Sequence, residues 1–317
     1  MIEGKLQSIQ RSVRAALSFY SRGYEAPNKK YTQIINFLIR YHYKKGNNNN
    51  TNKKKIHLLF SKKILDLILN KNLLNFLQNS FVQKIFFIHN RVFLLFYLKD
   101  LFFSKKWKFW KSLLKENKIG NPVRYFLFPF TSGNKIFQTY HLNCYEKFSN
   151  VSLYKYDYIF EFGGGYGNMA HTFHKINNNV KYIIFDTYEV TLLQYYYLNM
   201  VGCNVKFDKV NNGNILLLHK ISDLKKILSD MRIKNQKKLL IANWSISETP
   251  LNFRKKIFCL FKFFDNQLIS YQKSFENINN IKYFKTLQKF NIKLGRTSTI
   301  LNIHNYPNNF YLFSYKK

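Results

Sequence analysis

Glu161-Phe162-Gly163-Gly164-Gly165-Tyr166-Gly167-Asn168 leads from the end of a mostly apolar run, residues 156–162, into a segment of helical spacing, residues 169–176. The first reads as a strand and the second as a helix, so the glycines occupy a strand-to-helix turn. Without a Cβ, glycine permits a tight turn and lets the backbone come close to a ligand at the start of the helix.

Outward from this turn the pattern of strand, loop and helix recurs. Residues 181–185 read as a second strand and 190–200 as a helix; either 205–207 or 215–218 supplies the third strand. Residues 238–243 read as the fourth, 267–271 as the fifth, and 300–303 with 310–314 as a closing hairpin. The expected fold is therefore α/β and Rossmann-like, a mostly parallel sheet of about seven strands with helices on both faces. The register of the pattern changes near Gly120. Before it, residues 62–78 and 82–103 place Ile, Leu and Phe at helical intervals, and residues 44–55 hold no apolar residue and read as a solvated loop. Two domains are expected, a helical, basic region at 1–118 and the sheet domain at 119–317.

The chain of 317 residues carries 51 Lys and Arg against 16 Asp and Glu, a formal charge of +35. Such a charge points to nucleic acid or an anionic membrane surface. A second reading competes with it. Nine of the 51 basic residues are Arg, in a chain crowded with Lys, Asn, Ile, Phe and Tyr. Compositional drift produces that mixture, whereas selected phosphate sites recruit Arg for its bidentate fork.

Cys144, Cys203 and Cys259 are scattered and odd in number, which argues against a disulfide framework or a zinc site. No carboxylate cluster calls for a metal. Residues 1–20 lack the apolar core of a signal peptide, and the apolar stretch 85–103 is broken by His89, Asn90, Arg91, Lys99 and Asp100. A cytoplasmic protein is expected, with peripheral membrane contact through Lys and aromatics, and homo-oligomerisation left open.

The glycine spacing separates two cofactors. A dinucleotide loop has glycines at its first, third and sixth positions, the last allowing helix and strand to pack beneath a pyrophosphate. Counted from Gly163, the sixth position is Asn168. Here the glycines fall at the first, third and fifth positions, Gly163, Gly165 and Gly167, with Gly164 between them and the acid Glu161 two residues ahead. Methyltransferases that use S-adenosylmethionine have this arrangement, with the acid near the cationic methionine end. Asp186 ends the second strand about twenty residues on, where an acid can hydrogen-bond both ribose hydroxyls. Its alternative is a helix N-cap.

These residues resemble a known family. Phe162-Gly163-Gly164-Gly165-Tyr166-Gly167-Asn168, Asp186-Thr187-Tyr188-Glu189-Val190 and Leu193-Gln194-Tyr195-Tyr196-Tyr197-Leu198 look like the sugar O-methyltransferases of antibiotic and surface-polysaccharide clusters. Ser245-Ile246-Ser247-Glu248 is similar to that family's Ser-x-x-Glu signature. The resemblance covers about residues 118–317, and Thr187-Tyr188 depart from the usual Leu-Pro. It implies S-adenosylmethionine as cofactor and a sugar or glycan hydroxyl as acceptor, in polysaccharide or glycoconjugate synthesis.

Methyl transfer to a hydroxyl demands alignment of the reactants and a base. In an open parallel sheet both ligands sit beyond the carboxyl ends of the strands. Candidates therefore follow the fourth and fifth strands: Asn243 toward the cofactor, then Trp244, Ser245, Ser247, Glu248 and Gln272. Glu248 is the leading base, with a second reading as a cap for the helix beginning near Leu251. His304, by the closing hairpin, and His171, on the glycine-loop helix, are further candidate bases or ordinary core and surface histidines. Trp244 either stacks on a sugar or is a buried aromatic. Tyr140 or Asn143 is expected to face substrate.

Two other classes compete. A nucleic-acid methyltransferase fits the charge, but Asn243-Trp244-Ser245-Ile246 stands where base-methylating enzymes carry Asn/Asp-Pro-Pro-aromatic. A non-catalytic scaffold fits a decayed enzyme, but the glycines, Glu161 and Asp186 are all present.

Overall fold

The computed structural model describes residues 28–45, 55–86, 91–207, 214–230 and 236–316. Residues 1–20, on which the expectation of no signal peptide rests, most of the expected polar loop, and His89 and Asn90 lie outside the described residues. The chain divides into two compact units, 1–140 and 141–317.

The first unit is helical, with α1 (Lys29–Lys45), α2 (Lys55–Leu69), α3 (Ser80–Ile85), α4 (Leu94–Phe102) and α5 (Trp107–Leu114). The helical run expected over 62–78 is interrupted. It ends in the turn of Asn70, Lys71 and Asn72, where Lys71 takes the left-handed φ of 55°. Asn79 then caps α3 by accepting from the backbone N–H groups of Phe81 and Val82. Tyr97 of α4 stacks on Tyr140 with ring centroids 4.1 Å apart. Tyr140 is buried. The helix α6 (Gly133–Ser149) runs through the unit boundary. Among the described residues, no helix is long and apolar enough to cross a membrane.

The second unit is a doubly wound sheet. Its elements are β1 (Tyr158–Phe162), α7 (Asn168–Ile176), β2 (Lys181–Phe185), α8 (Tyr188–Met200), β3 (Asn204–Lys206), β4 (Asn214–Leu218), α9 (Ile221–Asp230), β5 (Lys238–Asn243), α10 (Leu251–Phe258) and β6 (Asn266–Gln272). A short hairpin, β7 (Ser274–Phe275) and β8 (Ile278–Asn279), leads into α11 (Asn280–Lys293), β9 (Thr297–Asn302) and β10 (Asn309–Tyr315). The large sheet has eight strands in the order β3-β4-β2-β1-β5-β6-β10-β9, parallel except that β10 is antiparallel to β6 and β9.

The mostly parallel sheet of about seven strands expected from the sequence is present with eight, because both candidates for the third strand pair. Asn214–Leu218 lies against β2, and Asn204–Lys206 adds a three-residue edge to it. The central strands are near-continuous apolar runs because helices cover both faces. On one face Phe160, Ile183, Leu216, Leu240 and Ile269 meet α9, α10 and α11 through Leu224, Ile257 and Leu287. On the other, Phe173 of α7 packs on Tyr182, and Tyr145 of α6 packs on Phe313 of β10.

β1 pairs in parallel with β2 on one side and β5 on the other, so the connections leave it in opposite directions. The carboxyl end of β1 at such a divergence is the place where open α/β sheets bind ligands. The glycine turn sits at this point.

Candidate functional site

The turn is shaped by close backbone packing. Gly163 has φ 70°, and a Cβ added there would lie 2.2 Å from Ser245 Cβ, so the loops after β1 and β5 touch at this residue. Ser245 Oγ donates to the Phe162 carbonyl and ties the two loops together. Gly167 has φ 100° and begins α7, where a Cβ would press on Leu198 of α8. Only glycine satisfies both the left-handed backbone and the missing space.

Glu161 lies beneath this turn. It is 5% exposed, its Oε2 accepts from Tyr182 Oη at 2.8 Å, and a Cβ on Gly164 would stand 3.1 Å from the same oxygen. Burial pushes its carboxyl up to about 8, against the pull of the Tyr182 bond, and Asp186 adds repulsion. Glu161 thus forms the floor of the turn.

Asp186 stands at the rim, half-buried at the end of β2. Its Oδ1 accepts from Thr187 N at 2.7 Å and its Oδ2 from Gln194 Nε2 at 3.0 Å. The same Nε2 lies 2.9 Å from the Gly165 carbonyl. Burial raises the Asp186 carboxyl to about 7, opposed by the bonds from Thr187, Gln194 and Gly164. The N-cap of α8 is Thr187, which sets aside the capping alternative for Asp186.

A second cluster follows β5 and β6. Trp244 adopts φ 60°, an uncommon conformation for a bulky residue and a sign of local backbone strain. Its Nε1 donates to Asn309 Oδ1 at 2.7 Å, and its ring lies 5.9 Å from Tyr306 and 5.4 Å from His141. Trp244 is 9% exposed, which matches the buried-aromatic reading. Asn243 accepts from Ser270 Oγ at 2.8 Å. Ser247 is wholly buried, with Oγ 2.5 Å from both the Trp244 carbonyl and Gln272 Oε1. Gln272 Nε2 in turn reaches Glu248 Oε1 at 3.5 Å.

Glu248 is partly exposed at the end of this chain, and burial raises its carboxyl to about 7. It does not cap α10, whose N-cap is Pro250 with no side-chain bond. The turn that carries it is stapled by Arg254, which is fully buried. Its guanidinium donates to the carbonyls of Thr249 at 2.8 Å and Ser247 at 2.6 Å, and to Asn280 Oδ1 at 2.7 Å.

β10 begins opposite Gln272, so the turn between β9 and β10 lies at the same edge of the sheet as the glycine turn. His304 is exposed on that turn. His171 is buried in α7 and pairs with Tyr197 Oη at 3.3 Å, a core placement. Asn143 is also buried. Gln194 as the link between Asp186 and Gly165, Arg254, Asn280 and Asn309 were not legible as site residues in the sequence. Arg254 carried one signal, an Arg in a chain that otherwise spends Lys. Among the described residues no group of His, Cys, Asp and Glu is arranged to hold a metal ion.

No protein-family model matches the chain, and no curated protein matches it. Solved structures do. An O-methyltransferase family protein from Burkholderia thailandensis is 7% identical with a TM-score of 0.36, the match covering 57% of each chain. An S-adenosylmethionine-dependent methyltransferase from Aquifex aeolicus is 12% identical with a TM-score of 0.37, covering 55% of this chain and 88% of that one. Fibrillarin from Aeropyrum pernix, solved with natively bound S-adenosylmethionine, is 10% identical with a TM-score of 0.37, covering 55% and 73%. This chain thus spans little more than half the length of the Burkholderia protein.

Proposed function

We propose that this chain is an S-adenosylmethionine-dependent O-methyltransferase acting on a sugar hydroxyl, in polysaccharide or glycoconjugate synthesis. The observation that carries the cofactor is Asp186 at the rim of the glycine turn, held there by Gln194 at the divergence of β1 from β2 and β5. The residues present fit the group. Gly163, Gly164, Gly165 and Gly167 leave the backbone open to approach at the start of α7, and a carboxylate with spare lone pairs accepts from a vicinal diol. Glu161 beneath and Asn243 beside the turn complete that side, and a cationic ligand above Glu161 favours its ionised form.

When bound, S-adenosylmethionine supplies an electrophilic methyl group on a sulfonium sulfur. Glu248 is the residue assigned to take the acceptor's proton. A carboxylate poised near neutral pH is suited to that task. Ser247, Gln272 and Arg254 are positioning residues that hold Glu248, and the contact of Ser245 with Gly163 joins the acceptor side to the cofactor side. The sugar assignment rests on the resemblance of Ser245 to Glu248. The test is incubation with labelled methyl donor and separate pools of nucleotide sugars, polysaccharides and RNA. Label in a sugar-containing acceptor supports the reading; label in RNA alone, or in nothing, contradicts it.

A further inference from the structure

Helix α4 is apolar on both faces. One face is accounted for, since Leu94, Tyr97 and Leu101 are fully buried within the first unit. The other face, continued by flanking Val92 and Phe103, shows Leu95 45%, Phe96 49%, Phe102 54%, Val92 62% and Phe103 72% exposed. With exposed Lys99 these residues fall on one arc of about 120° at the helical period of 3.6. A soluble amphipathic helix puts polar residues on that side, and a helix apolar all round has a second partner. A contiguous exposed apolar face of this kind marks an interaction surface.

The surrounding charge says what the partner is. Lys105, Lys106, Lys108 and Lys111 are exposed directly beyond the arc, Arg91 precedes it, and Asp100 is the one acid between residues 91 and 115. A second copy of this chain meeting the face about a two-fold axis would bring like lysines together. An anionic surface with an apolar layer behind it matches both parts of the pattern. Lys99, in the middle of the arc, has a stem long enough to carry its ammonium out to headgroups while its methylenes stay apolar.

We propose that this face of α4 docks on an anionic lipid bilayer, with Leu95, Phe96, Phe102 and Phe103 entering the headgroup boundary and the lysines lying on the headgroups. The inference does not depend on the methyltransferase reading. It would hold the chain at a membrane without crossing it.

The test uses the full chain with vesicles of phosphatidylcholine alone or mixed with phosphatidylglycerol, read by co-sedimentation and by tryptophan emission. Trp107 is half-buried with its ring 5.1 Å from Phe102, whereas Trp110 and Trp244 are buried, so an emission change reports this face. The mixed vesicles are expected to bind at least about tenfold more tightly than neutral ones, with a blue shift that Trp107→Phe removes. The triple variant Phe96→Ser, Phe102→Ser, Phe103→Ser is expected to lose that binding with its thermal midpoint unchanged. If that variant unfolds, Lys105→Glu, Lys106→Glu, Lys108→Glu decides instead, and is expected to lose the preference for anionic vesicles. Equal binding to both vesicles, no binding, or a wild-type dimer that the variants dissociate would overturn the proposal.

Discussion

Gln194 fastens Asp186 to the glycine turn, its Nε2 donating to Asp186 Oδ2 at 3.0 Å and to the Gly165 carbonyl at 2.9 Å. One amide therefore couples the residue assigned to the ribose with the loop assigned to the rest of the cofactor. Gln194→Ala removes a bond to a carboxylate and a bond to the turn together. Affinity for S-adenosylhomocysteine should fall about tenfold or more, while the circular dichroism spectrum stays native. Unchanged affinity would dissociate Gln194 from the site.

Gly163 faces a different constraint. Alanine there meets Ser245 Cβ at 2.2 Å and must hold φ 70°. The cost should be about 2 kcal/mol or more by denaturant titration, from backbone strain and overlap combined. Adding Ser245→Gly to Gly163→Ala removes the overlap and should recover part of the loss. Additive loss in the double variant would show that the two loops do not meet.

The buried acids give the free protein a pH signature. Glu161 and Asp186 are raised to about 8 and about 7, so the folded chain holds protons that the unfolded chain has released. These two groups, with Glu248, therefore contribute a decline as pH rises from near 4.5 through 8, by at most about 1.4 kcal/mol per pH unit for each group, while His141, held neutral by burial and lowered to about 3, adds an opposing rise that ends near pH 6.5. Glu161→Gln should flatten the upper part of that decline. A wild-type stability curve that climbs between pH 6.5 and 8, above the range in which His141 contributes, would refute the raised carboxyls.

Arg254 offers a structural control on the acceptor side. Arg254→Met leaves the Ser247 and Thr249 carbonyls and Asn280 Oδ1 without their donor. The expected loss is about 3 kcal/mol, read as a lowered thermal midpoint.

Glu248→Gln keeps the side chain's shape and removes its basicity. Turnover should drop roughly 100-fold with the cofactor affinity preserved. In the wild type, turnover should rise as pH passes through about 7, where Glu248 ionises. A His304→Ala variant with the larger loss would transfer the base to His304.

Much of the sheet was legible because parallel strands buried on both faces are apolar runs bounded by turn residues. Residues 181–185 and 238–243 were read with the bounds they have. β3 was ambiguous because a three-residue edge strand with both outer residues exposed carries almost no pattern. In the helical unit the apolar spacing over 62–78 hid a break, since periodicity does not register the left-handed turn at Lys71. Asp186 was legible from its spacing after the glycines. Gln194 was not, because its reach back to Gly165 depends on how α8 lies beside α7. The arginines held a signal that the total charge concealed. Arg124, Arg254 and Arg296 are all buried and bonded to backbone or amide oxygens, positions that need a planar fork, whereas most of the lysines are exposed.

Titration calorimetry of the full chain with S-adenosylhomocysteine bears most directly on the cofactor assignment. The expected result is saturable binding of one ligand per chain, weakened at least about tenfold by Asp186→Ala, which removes the carboxyl group assigned to the ribose. No binding by the wild-type protein, or equal affinity in Asp186→Ala, contradicts it.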